Sequence, residues 1–193
     1  MAHHPILLRP GIIAGVVVAL GLAGCANGTR QSGGGMMDGG SGVHYSSLTC
    51  SAPSSLPGRV TRVTLADMGM TSMMDGIAPL GGHMMLTVAS ESISAGTTSL
   101  VASNRGWRTH ELVILPLSAG GIAGRRSPGP DGRIDEAGSV GEASNSCQGG
   151  SGKGIRARTV GWTSLTLKAG RYELLCNLPN HYRNGMHQEL TVR

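Results

Sequence analysis

Tyr172-Glu173-Leu174-Leu175-Cys176-Asn177-Leu178-Pro179-Asn180-His181-Tyr182-Arg183-Asn184-Gly185-Met186 is the stretch that decides the fold and the chemistry. A strand-like run, Arg171 to Cys176, ends in a thiol, and a second, Gln188 to Val192, begins just past a thioether. Between them lies a polar, Pro- and Gly-punctuated loop that carries one imidazole, in the spacing Cys-x4-His-x4-Met. Thiolate and thioether favour Cu(I), whereas imidazole tolerates Cu(II). A site that mixes them, as two His, one Cys and a weak axial Met, can pass one electron with little rearrangement. The second His comes from elsewhere in the chain. Asn104-Arg105-Gly106-Trp107-Arg108-Thr109-His110 places His110 after a Gly-containing turn, at the mouth of the apolar run Glu111 to Leu115.

Working outward, the segment from about 58 to 193 predicts an all-β domain. Val60, Val63 and Leu65 alternate with Thr61, Arg62 and Thr64, the period of a half-buried strand. His83 to Ala89, Thr98 to Ser103, Glu111 to Leu115, Thr163 to Leu167, Arg171 to Cys176 and Gln188 to Val192 complete seven candidates. Short strands at such intervals, with no 3.6-residue stripe, point to a sandwich or barrel. Ser118 to Arg158 is long, polar and Gly-rich, and a loop of that length in a compact domain is functional or pinned.

The amino terminus has a different texture. One Arg and two His precede the apolar run Gly11 to Leu20, which is too short to span a bilayer comfortably and ends in Leu22-Ala23-Gly24-Cys25. That ending resembles a bacterial lipobox, which implies a signal peptide over 1–24 and a lipid on Cys25. An ordinary export signal or an uncleaved anchor is the alternative. From 25 to 57 the Gly/Ser-rich chain reads as a tether of roughly 30 Å mean reach, on the outer face of a bacterial membrane. With Cys25 lipidated, Cys50, Cys147 and Cys176 remain. Cys50 and Cys147 both lie among Ser, Gly and Asn, so they form a disulfide or stand as two exposed thiols.

At this point the motif Tyr-Glu-Leu-Leu-Cys, Pro-Asn-His, Gly-Met-His resembles the ligand segment of the cupredoxins, the small blue-copper proteins, in their sulfocyanin, rusticyanin and auracyanin branch. The likeness spans about Arg59 to Arg193. It implies a Greek-key β-sandwich holding one copper ion (Cu+/Cu2+) through His110, Cys176, His181 and Met186. Pro179-Asn180 stands where many members carry Pro-Gly, and Glu111 stands where several carry Asn, which removes the usual side-chain tie between the two ligand loops. The resemblance also implies that the His181 ring edge reaches solvent, flanked by Leu178, Pro179 and Tyr182 and ringed by Arg183, Arg105 and Arg108.

Composition narrows the function. The 193 residues hold 16 Lys+Arg against 11 Asp+Glu, 14% charged and 3% aromatic with no Phe. Scattered Arg and few stacking rings exclude a nucleic-acid partner. An enzyme is disfavoured, because no further His pairs exist to build an open copper position. Two classes stay open: a membrane-tethered, monomeric one-electron carrier between extracytoplasmic or membrane redox proteins, and a copper-handling lipoprotein. For the second, Met68, Met70, Met73 and Met74 with His83 offer a further Cu(I) site. Met as adaptable core filler is the simpler reading, above all for Met84 and Met85.

Overall fold

The computed structural model describes residues 47–67 and 83–193. The expected signal peptide, Cys25, the expected tether up to residue 46, and Met68, Met70, Met73 and Met74 lie outside the described residues. The described chain is an all-β sandwich without helix.

Nine strands run in the order β1 (Arg59–Asp67), β2 (Met84–Val88), β3 (Ser92–Ile93), β4 (Gly96–Asn104), β5 (Leu112–Pro116), β6 (Gly141–Ala143), β7 (Val160–Leu167), β8 (Gly170–Leu175) and β9 (His187–Val192). One sheet has the order β2-β1-β4-β7 and the other β3-β9-β8-β5-β6. All seven strands read from the alternation are present; β3 and β6 are additional. Alternation decides which side chains meet between the sheets. Val63 and Leu65 of β1 and Leu100 of β4 pack against Leu112 and Ile114 of β5, Leu174 of β8 and Leu190 of β9.

The five-stranded sheet is also covered on its outer face. There Val113, Leu115 and Leu175 pack with Ile134 and Tyr182, so the continuous apolar run of β5 reflects burial on both sides. Ile134 belongs to the long polar loop, which folds back as a strap; burying it contributes about 1.5–3 kcal/mol. Polar groups fix the strap's course. Glu173, fully buried on β8, accepts from the Gly124 backbone N–H (2.6 Å), Arg126 Nε (2.6 Å) and Tyr182 Oη (2.8 Å). Farther along the loop, Cys147 is bonded to Cys50, their Cα atoms 5.8 Å apart across 97 residues. In the chain-entropy model such a closure stabilises by about 4–5 kcal/mol. Met84 is buried core, while Met85, on the opposite face of β2, is exposed.

Candidate metal centre

The two ligand loops leave the same end of the sandwich. Cys176 directly follows β8 and Met186 directly precedes β9, so sheet pairing brings the ends of the loop together. The Cys176 N–H donates to the Met186 carbonyl at 3.0 Å, and the Met186 N–H to the His181 carbonyl at 3.2 Å. Asn180 has φ of 67°, a left-handed turn that Asn tolerates better than most residues. His110 is locked between sheets by a two-way backbone bridge to Ile155: its N–H donates at 3.0 Å and its carbonyl accepts at 2.7 Å. The turn before it is organised by buried Asn104, whose Nδ2 donates to the Arg108 and Ile155 carbonyls and whose Oδ1 accepts from Gly106.

These constraints converge three donors. His110 Nδ1 and His181 Nδ1 are 3.1 Å apart, and Cys176 Sγ lies 3.3 Å from His181 Nδ1 and 3.9 Å from His110 Nδ1. Two ring nitrogens aimed at one another need a shared proton or a shared cation between them. For a tetrahedral ion with metal–nitrogen and metal–sulfur bonds of about 2.0 and 2.3 Å, the nitrogen–nitrogen edge is about 3.3 Å and the nitrogen–sulfur edge about 3.5 Å. The observed triangle fits a first-row ion. All four side chains, Met186 included, are buried, and His110, Cys176, His181 and Met186 are arranged as a type 1 copper site.

The electrostatics suit a soft cation. Burial pushes the Cys176 thiol above its usual range, and the neighbouring Glu111 charge adds to this, while the Leu178 and Glu111 backbone N–H groups pull the other way. The Glu111 N–H lies 3.3 Å from the sulfur. A metal must therefore displace a proton to bind here. Burial, and then the His110 and Arg108 charges, lower His181 to about 3, which leaves its imidazole neutral and able to donate a lone pair. His181 Nε2 is buried without a hydrogen-bond partner among the described residues.

The expected solvent-exposed port at His181 is not what the structure shows. His181 is 1% exposed, Tyr182 3% and Arg108 8%. Tyr182 turns inward because its hydroxyl reaches Glu173 beneath the strap, and Arg108 is drawn inward towards Asp67, its Nε 4.0 Å from Oδ2. Of the expected ring, Leu178 and Pro179 are half-buried and Arg183 is exposed, while Trp107, on the turn before His110, is 62% exposed. His187, next to Met186, is half-buried, its ring 5.0 Å from that of Tyr182. The tie between ligand loops thought lost with Glu111 exists in another form, since the Asn177 backbone N–H bonds the Glu111 carboxyl. Asn177 also clamps the strap, pairing both ways with the Ile134 backbone and reaching Glu136.

Asp67 is the partner that sequence reading missed. Its Oδ1 lies 3.1 Å from His110 Nε2, on the side of the ring away from the other donors. An acidic residue at a strand end carries no local signal of a partner 43 residues on.

No family model matches the chain, and no curated protein matches it. Several solved structures are similar. Reduced rusticyanin at 1.9 Å is 16% identical with a TM-score of 0.42, over 72% of this chain and 82% of that one. Rusticyanin from Thiobacillus ferrooxidans is 17% identical with a TM-score of 0.39, over 70% and 79%. Dithionite-reduced auracyanin from Roseiflexus castenholzii is 18% identical with a TM-score of 0.40, over 70% and 99%.

Proposed function

We propose that this protein is a type 1 copper protein that carries single electrons between redox partners outside the cytoplasm, held near a membrane by lipid on Cys25. The observation that supports the reading best is the buried triangle of His110 Nδ1, His181 Nδ1 and Cys176 Sγ. Bound copper would supply the one-electron chemistry. The chain's contribution is to fix the donors before and after transfer. Backbone bridges hold His110, β8 and β9 hold Cys176 and Met186, and the strap holds the loop between them. A rigid, dry donor set limits reorganisation when the charge changes and excludes water as a ligand. The export signal, tether and disulfide suit an oxidising compartment.

Copper titration followed by visible absorption and electron spin resonance tests this reading. One equivalent is expected to give an intense thiolate-to-Cu(II) band with reversible redox. Cys176→Ser should abolish that band, because a hydroxyl cannot replace a soft thiolate. A blue band that survives Cys176→Ser would sink the assignment. Colourless, readily exchanged Cu(I) in the unaltered protein would point to copper handling instead.

A further inference from the structure

Asp67 ends β1 in the four-stranded sheet, whereas Cys176, His181 and Met186 flank strands of the other sheet. The side chain of Asp67 is 3% exposed, and its surroundings are shaped around a carboxylate. Oδ1 accepts the Trp107 backbone N–H at 2.8 Å and that of Arg108 at 3.3 Å, in addition to its 3.1 Å contact with His110 Nε2. Arg108 Nε stands 4.0 Å from Oδ2. The turn wraps the group so closely that a Cβ at Gly106 would lie 1.8 Å from Oδ1. Only glycine permits that approach.

A carboxylate at Nε2 has two consequences for His110. It accepts a hydrogen bond from the ring, so Nε2–H is the tautomer and Nδ1 keeps its lone pair for the metal. It also raises the electron density of the ring, which favours the more highly charged oxidised ion over the reduced one. Arg108 offsets part of the negative charge without taking the hydrogen bond.

We propose that Asp67 is a positioning residue that fixes the tautomer and orientation of His110 and, through its charge, holds the reduction potential of the site lower than the four donors alone would set it. This rests on the type 1 copper reading above. The mechanism makes separate demands on shape and charge. Asp67→Asn keeps an oxygen at Nε2 but loses the charge; Asp67→Ala loses both.

The test compares the purified wild-type protein with both variants, loaded with one equivalent of copper. In Asp67→Asn the blue band should persist and the potential should rise. Outer-shell partners of ligating His carry about 10–100-fold in metal affinity. A tenfold loss of Cu(II) affinity relative to Cu(I) is a rise of about 59 mV for one electron. Asp67→Ala should rise at least as far and release Cu(II) faster, because the ring is no longer held. A second measurement needs no variant. Nitrogen NMR of the His110 ring in the reduced wild-type protein should show a slowly exchanging proton on Nε2 and none on Nδ1. An unchanged potential in Asp67→Asn with the colour intact would overturn the role of Asp67 and leave the copper reading standing. A His110 ring unprotonated at Nε2 would do the same, even if both variants fail to fold. No coloured Cu(II) site in the wild type would overturn both.

Discussion

Two carboxylates lie on the same outer face of the five-stranded sheet, covered by the same strap, and they are treated in opposite ways. Glu173 has three donors, one of them the charged Arg126 guanidinium, and no exposed surface. Glu111, at the metal end, is also buried, but its Oε1 has no hydrogen-bond partner among the described residues, and the nearest cation, Arg133, stands 3.8 Å away. Arg133 has already committed the same nitrogen to the Asn177 carbonyl. Burial raises Glu111 to about 7; Arg133 resists this, and the charges of Glu136 and Glu142 add to it. The strap therefore supplies a complete anchor away from the metal and an incomplete one next to Cys176. A fold selected for stability alone would not leave a half-satisfied carboxyl there, so the two ends of one strap answer to different demands.

Removing the complete anchor should cost most. Glu173→Ala strands the Arg126 guanidinium, the Gly124 N–H and the Tyr182 hydroxyl, and loss of one partner of a buried pair costs about 3–5 kcal/mol. Arg126 is part-exposed, so about 3 kcal/mol is expected in denaturant unfolding. A loss under 1 kcal/mol would mean that the strap is held by its apolar contacts instead. Glu111→Gln should act in the other direction, measured on metal-free protein. Because the folded Glu111 holds its proton up to about pH 7, against an ordinary glutamate value of 4.5, the native state binds more protons than the unfolded state between those values. Its contribution is present in full below pH 4.5 and is lost as pH rises through 7. At about 1.4 kcal/mol per unit, the loss at pH 8 reaches about 3 kcal/mol. Gln, which has no such slope, should match wild type near pH 4 and exceed it at pH 8. Parallel pH profiles for the two proteins would show that Glu111 is not the strained group.

How far the sequence discloses this contrast depends on the range of each signal. Cys176, His181 and Met186 are local to one loop, and soft donors at fixed spacing between two strands point to a metal whatever the rest of the chain does. His110 was reachable because it sits at the mouth of an apolar strand. β3 and β6 were not, since two or three residues, Ser92–Ile93 and Gly141–Ala143, are too short to show a period. The apolar run of β5 was visible, but nothing in it tells that the second face is covered by Ile134 from a polar, Gly-rich segment. The same blindness affected the polar partners. Asp67, Glu173 and Asn177 look like ordinary strand-end and loop residues until tertiary folding brings His110, Arg126 and Ile134 to them. The resemblance implies exposure at His181, whereas the residue is 1% exposed; the pairing of Tyr182 with Glu173 and of Arg108 with Asp67, which turns both side chains inward, is likewise not encoded in the motif.

The smallest expected effect tests whether the strap's anchor and the ligand loop are one unit. Tyr182 belongs to the ligand loop, directly after His181, yet its hydroxyl donates to Glu173 and accepts the Arg126 backbone N–H at 3.0 Å. Burial raises this phenol to about 12, against the pull of the Arg126 N–H, so it stays a neutral donor over the whole working range. Tyr182→Phe keeps the ring that fills the outer cluster with Val113, Leu115, Ile134 and Leu175. It removes one hydrogen bond from each side, at about 1 kcal/mol. Glu173 keeps Gly124 and Arg126, so the anchor should survive. What should change is local: amide exchange at Arg126 should accelerate, while exchange at Gly124, which bonds Glu173 directly, should stay slow. If both amides accelerate together, the strap opens as one body and Tyr182 is its latch. If neither does, the hydroxyl contributes nothing to holding the strap on the ligand loop.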